Sequence, residues 1–126
     1  MQIRRDPLDI LFSRYIRLKA KGICQRYGDY KGYKNLEVAH FHSRRKKSTR
    51  WDEDNVIAVC MGCHQYFHEN HDEFEAFMKQ HLGENEFDLL AGRMRIRGKP
   101  DKKLLTLYYQ QQIKLLEGGV KNETSH

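Results

Sequence analysis

One nine-residue stretch, Cys60-Met61-Gly62-Cys63-His64-Gln65-Tyr66-Phe67-His68, limits what this chain can fold into more than any other. Thiolates with two residues between them chelate a single tetrahedral ion, most often zinc. Imidazoles four apart on a helix leave from one face, so His64 and His68 can share a cation. The stretch joins a short β-prone segment, residues 56–60, to a helical pattern. An ion held there would staple strand to helix. The chain needs such a staple, because only residues 36–42 and 56–60 read as strands, and two strands of this length are not stable alone.

The chain has three cysteines, which cannot all pair. Its 126 residues suit one domain. Apolar residues make up 39% and charged residues 32%, a balance that gives a small core. No apolar run approaches the roughly 18 residues of a membrane span. The N-terminal "MQIRRDPLDILFSRYIRLKAKG" lacks the unbroken apolar stretch of a signal peptide. The expected compartment is the cytoplasm, where thiols stay reduced. Cys24, Cys60 and Cys63 therefore read as metal ligands rather than as a disulfide. A second knuckle at "CQRY" would complete a four-thiolate site, but Tyr27 stands in the fourth place and a neutral phenol is a poor zinc ligand. The other reading of the three is a small apolar cysteine cluster.

Leu8, Leu11, Tyr15 and Leu18 recur at helical steps and predict a helix over 7–21, capped by Asp6 and stopped by Gly22. Residues 23–36 read as a turn-rich knuckle covered by Tyr27, Tyr30 and Tyr33. Residues 43–55 form a polar loop carrying Arg44, Arg45, Lys46, Lys47 and Arg50. Beyond His68, a stripe of Phe74, Phe77, Met78 and Leu82 predicts a helix with Asn70 or Asp72 as its cap and Gly83 at its end. A short helix over 85–95 and a long one over 101–118 follow. In the long helix, Leu104, Leu107, Tyr108, Gln111 and Leu115 read as a core-facing stripe. The expected fold is a single α+β domain. A two-stranded hairpin plus helix occupies about 24–69, an N-terminal helix and a helical extension over about 70–117 flank it, and residues 118–126 form a frayed tail.

Upstream, His40 lies in "EVAHFHSRR", 15 residues before Asn55, which lies nine before His64. "AHFH", "DEDN" and "CMGCHQYFH" together resemble the HNH endonucleases of the ββα-metal (His-Me finger) superfamily, in particular small phage-encoded members. The resemblance covers about residues 24–69, roughly a third of the chain. The spacing of His40, Asn55 and His64 is also similar to that of colicin-type nuclease domains, which share the trailing histidine. The resemblance implies hydrolysis of DNA phosphodiester bonds, by nicking or by double-strand cleavage. His40 would be the general base, which suits an imidazole titrating near working pH. Asn55 would pin the loop that orients it. His64, with His68 beside it, would bind a catalytic divalent cation (Mg2+, Mn2+, Ni2+ or Zn2+), while Cys24, Cys60 and Cys63 would hold a structural Zn2+. A phage-encoded protein would act in the host cytoplasm.

One position departs from the pattern. Many HNH enzymes carry a metal-binding aspartate just before the base, and colicin-like ones a histidine; here that residue is Ala39. Three alternatives stand: Glu37 substitutes, His42 substitutes, or nothing does and His64, His68, phosphate oxygens and waters must suffice; strand alternation puts His42 on the His40 face. The net charge of +6 favours a polyanionic partner. Arg44, Arg45, Lys46, Lys47 and Arg50, together with His42, are the candidate DNA contacts, since cations next to the base neutralise flanking phosphates. Arg93, Arg95, Arg97, Lys99, Lys102 and Lys103 either extend that footprint or solvate a linker. Trp51 reads as a core anchor, and Asp52, Glu53 and Asp54 as a capped turn. The competing function is a zinc-stabilised basic module that binds DNA without cutting it, which Ala39 favours. A third reading docks a partner on the C-terminal helices.

Overall fold

A computed structural model describes residues 5–124, with side chains through residue 118. Helix α1 spans Pro7–Lys19. Asp6 Oδ1 accepts a hydrogen bond from Leu8 N at 2.9 Å, and Pro7 gives up only an N–H that the first turn leaves unpaired. Leu8, Phe12, Tyr15 and Ile16 form the buried face. The chain then turns through Lys21 and Gly22, both at positive φ. At Gly22 a Cβ would stand 2.9 Å from the Tyr30 ring, so only glycine fits there.

The knuckle does more than turn. Gly28 N donates to Cys24 O at 2.7 Å, closing a tight loop. Gln25 N donates to Ala58 O at 2.9 Å, and Gln25 Oε1 accepts from Ala58 N at 2.7 Å. These two bonds satisfy strand backbone that would otherwise be an open sheet edge. Tyr27 and Tyr30 project outward, 67% and 76% exposed, and do not cover the knuckle as expected.

Strands β1 (Leu36–His40) and β2 (Val56–Cys60) pair antiparallel, Leu36 opposite Cys60 and His40 opposite Val56. Val56 through Val59 are buried, as a continuous apolar run requires. β1 ends two residues earlier than expected. After His40 the chain bends, Phe41 N donates to Asn55 O at 2.9 Å, and the Phe41 ring enters the core. The loop between the strands contains a single helical turn, α2 (Lys47–Arg50), and a 3-10 turn at Glu53–Asn55.

Helix α3 (Met61–Glu69) carries His64 and His68, and α4 (His71–Leu82) follows as expected, with Asn70 at its N-terminal boundary and Gly83 at its end. The two helices break at Asn70, whose backbone N and Nδ2 both donate to Tyr66 O. The Phe67 and Phe74 rings stack 4.8 Å apart across the break. Helix α5 spans Glu84–Arg95 and α6 spans Lys102–Thr124. Against α1, α6 packs Tyr109 and Ile113, while Leu104, Leu107 and Leu115 are each at least 60% exposed. The expected core stripe of α6 thus faces solvent. The sequence places apolar residues in adjacent pairs, Leu104–Leu105, Tyr108–Tyr109 and Leu115–Leu116, so two stripes compete and the second wins. The α6 backbone stays helical past residue 118, where fraying was expected; residues 125 and 126 lie outside the described ones.

The architecture is α+β: among the described residues, six helices surround one two-stranded hairpin. No helix among them is long and apolar enough to cross a membrane.

Candidate functional site

Asn55 is fully buried and uses its whole amide. Oδ1 accepts from His42 N at 2.7 Å, and Nδ2 donates to His42 O and to Thr49 O, both at 3.0 Å. One side chain therefore ties the two ends of the basic loop together. Asn55→Ala leaves these backbone groups unpaired and lowers the unfolding free energy by about 3 kcal/mol, read as a lower midpoint in urea.

The loop so held presents the Arg50 carbonyl to His40, whose Nε2 lies 2.9 Å away. A carbonyl oxygen only accepts, so Nε2 carries the proton and Nδ1 is left as the basic nitrogen. Burial depresses the His40 pKa below 6.5, and the Arg44 charge adds to this against the opposing pull of the Arg50 carbonyl and Asp9. The imidazole is therefore neutral at neutral pH.

A cleft of about 460 Å3 opens between α1 and β1 and extends to α3. Glu37 and His40 of β1, His64 of α3, Arg44 of the loop, and Ser13 and Arg17 of α1 all line it. Glu37 Oε1 and His64 Nδ1 are 2.7 Å apart. Neighbouring donors around a small octahedral cation with ~2.1 Å bonds lie about 3 Å apart, so this pair can hold one edge of a divalent ion's shell. Of the two substitutes for Ala39, Glu37 is the one beside His64.

The other two histidines lie elsewhere. His68 is exposed one turn further along α3, outside the cleft lining, and the structure does not bring it to Glu37. His42 is off the strand altogether. The bend after His40 turns its ring against Phe41, at 4.8 Å, with His71 and Arg95 near enough to disfavour its protonation after burial has done most of that. Its Nε2 is buried without a partner. Alternation placed it on the His40 face, but alternation ends where the strand ends.

The basic loop divides in two. Arg45, Lys46 and Lys47 are exposed. Arg50 is only 21% exposed, and its guanidinium pairs with Asp9 and lies over the Trp51 ring at 5.1 Å. Arg44 also reaches Asp9, at 2.8 Å, while remaining 57% exposed. Trp51 Nε1 donates to the same carboxylate at 2.9 Å, and Trp51 is a core anchor as expected. Asp9 thus organises the loop from α1, and the sequence reading missed it. Its one signal is an acid next to the buried Leu8 and three before Phe12, at the edge of an apolar face. Arg93 is likewise committed, bridging Asp52 at 2.7 Å and Asp54 at 2.9 Å.

The three cysteines converge on the far end of the hairpin. Cys24 comes from the knuckle, Cys60 from the end of β2, and Cys63 from the first turn of α3. Their sulfurs all lie within 4.8 Å of one another, and Cys24 and Cys63 are 3.8 Å apart. A tetrahedron with ~2.3 Å metal–sulfur bonds has edges of about 3.8 Å, so the three can bind one metal ion. Burial raises the Cys24 thiol, but hydrogen bonds from the backbone at Cys60, Tyr27 and Arg26 more than offset it and leave the pKa low. Cys63 is pushed up to about 11, chiefly by burial, although Arg26 Nη1 stands 3.7 Å from its sulfur.

No protein-family model matches this chain, and neither does any curated protein or solved structure.

Proposed function

We propose that the chain is a metal-dependent endonuclease that hydrolyses DNA phosphodiester bonds, with an HNH-like ββα-metal core. One observation carries the reading: His40, Glu37 and His64, from a strand and a separate helix, line one cleft while buried Asn55 pins the loop beside them. Glu37 and His64 hold the divalent cation in this reading. Bound there, the cation supplies Lewis-acid stabilisation of the phosphate and of the departing 3′ oxygen. His40 Nδ1 takes the proton from the attacking water, whose oxygen bonds to phosphorus as the bond to the 3′ oxygen breaks. The Arg50 carbonyl stabilises the imidazolium through Nε2–H. Arg44, Arg45, Lys46 and Lys47 contact neighbouring phosphates and supply affinity rather than sequence choice. Cys24, Cys60 and Cys63 bind a structural Zn2+, separate from the catalytic ion.

A base must be neutral to work. Because the His40 pKa is depressed, the acid limb of the rate profile falls below pH 6.5, and activity persists as pH drops to that value. Nicking rates between pH 5 and 8 check this; a limb above pH 7 contradicts it.

The second reading, a zinc-stabilised basic module that binds DNA without cutting it, is favoured by Ala39, whose buried methyl offers no ligand and leaves Glu37 and His64 as the only pair of cleft donors in contact with each other. Supercoiled plasmid incubated with the protein and Mg2+, Mn2+, Ni2+ or Zn2+ separates the two. The endonuclease nicks in at least one metal and His40→Ala does not; the module retards the plasmid in a gel and cuts in none.

A further inference from the structure

We infer that the three-thiolate site is coordinatively open and takes an exogenous thiolate, from a low-molecular-weight thiol, as its fourth ligand. This rests on the reading that Cys24, Cys60 and Cys63 bind a metal ion. Among the described residues, no histidine, aspartate or glutamate joins the three sulfurs. Tyr27 holds the chain position where a second knuckle would place a fourth cysteine, but its side chain is 67% exposed. Its ring lies 4.6 Å from the Arg26 guanidinium, which also sits 3.9 Å from the Tyr66 ring centre. The knuckle is closed tightly behind Cys24, where Gly28 N donates to Cys24 O at 2.7 Å. A tetrahedral ion bound to three sulfurs keeps one position for a further donor.

The surroundings select the class of that donor. Arg26 Nη1 stands 3.7 Å from Cys63 Sγ. Lys31, in the same knuckle, pairs with Asp29 at 3.1 Å. Three thiolates and a divalent ion carry one net negative charge, which Arg26 balances, so with an anionic fourth donor the site carries one net negative charge rather than two. An ion already bound by three thiolates favours a soft fourth donor. Cys60 is half-buried while Cys24 and Cys63 are buried, so an incoming thiol approaches from the Cys60 side, where the next residue in sequence, Met61, is exposed. A second copy of the chain cannot supply the sulfur, because all three of its cysteines are already committed. On binding, the thiol releases its proton to solvent and its sulfur displaces the water at the fourth position.

Co2+ in the 126-residue chain, loaded in thiol-free anaerobic buffer and titrated with 2-mercaptoethanol, tests the inference. Sulfur-to-cobalt charge transfer reports only this site, since the cleft donors carry no sulfur. The expected result is a saturable rise of about a third in that absorbance, as three thiolates become four, with a shift of the visible bands. Tyr27→Cys closes the site within the chain, so it starts at the higher absorbance and does not respond to thiol. Tyr27→Phe, which keeps the ring, responds like the unmodified protein. Cobalt binding with no thiol response, or loss of the response in Tyr27→Phe, overturns the open position while leaving a metal site standing. Failure to bind cobalt at all overturns the metal reading and the inference with it.

Discussion

On the proposed endonuclease reading, the expected result for His40→Ala is a fall of about 10^3-fold in the rate of metal-dependent plasmid nicking, within the range for losing a positioned general base. The size of the effect follows from how completely the imidazole is set up. The Arg50 carbonyl fixes which nitrogen is free, and burial keeps it unprotonated. Neither carboxylate lining the cleft is free to take over, since Glu37 is engaged with His64 and Asp9 with Arg44, Arg50 and Trp51. DNA affinity falls no more than about twofold, because the exposed loop cations supply the phosphate contacts. His68→Ala leaves the rate within about twofold of the unmodified protein, as its side chain is outside the cleft. Retention of more than about a tenth of the nicking rate in His40→Ala assigns the base elsewhere.

On the proposal that the three thiolates hold a structural ion, the expected result for Cys63→Ser is loss of that ion and of about 5 kcal/mol of stability, enough to unfold a marginal domain of this size. In the metal-site reading the ion joins the knuckle through Cys24, the end of β2 through Cys60 and the start of α3 through Cys63, adding to the two Gln25–Ala58 bonds that already tie the knuckle to β2. Serine keeps the volume and the helical position, so the loss reports the missing ligand rather than a cavity. Chelator treatment of the unmodified protein brings its denaturation midpoint down to that of Cys63→Ser, and leaves the variant unchanged. A midpoint unmoved by chelation makes the three thiols an apolar cluster instead.

The sequence made some of this legible and hid the rest for identifiable reasons. Helix α1, the two strands and the stripe of α4 follow from local periodicity, which needs no tertiary information. The spacing of His40, Asn55 and His64 marked the three residues, and the C-x-x-C with Cys24 marked the thiols that converge. Glu37 could not be chosen over His42 because alternation reports the side of a strand, not where the strand stops or which helix lies over it. The role of Asp9 depends on a contact 41 residues away, to Arg50, and no local pattern encodes it. In α6 both apolar stripes have helical period, so only the packing partner decides, and α1 selects the one with Tyr109 and Ile113. The count of loop cations was visible, but not that Arg50 is spent on Asp9.

The most direct test of the central claim is where a catalytic-type cation sits. Mn2+ added at substoichiometric amounts to the zinc-loaded protein broadens the NMR signals of nearby histidine rings. The account predicts that His64 broadens first and His40 with it, while His68 and His42 stay sharp, and that Glu37→Ala removes the effect. Broadening centred on His68 or His42, or none at His64, contradicts a cleft in which Glu37 and His64 hold the ion within reach of His40.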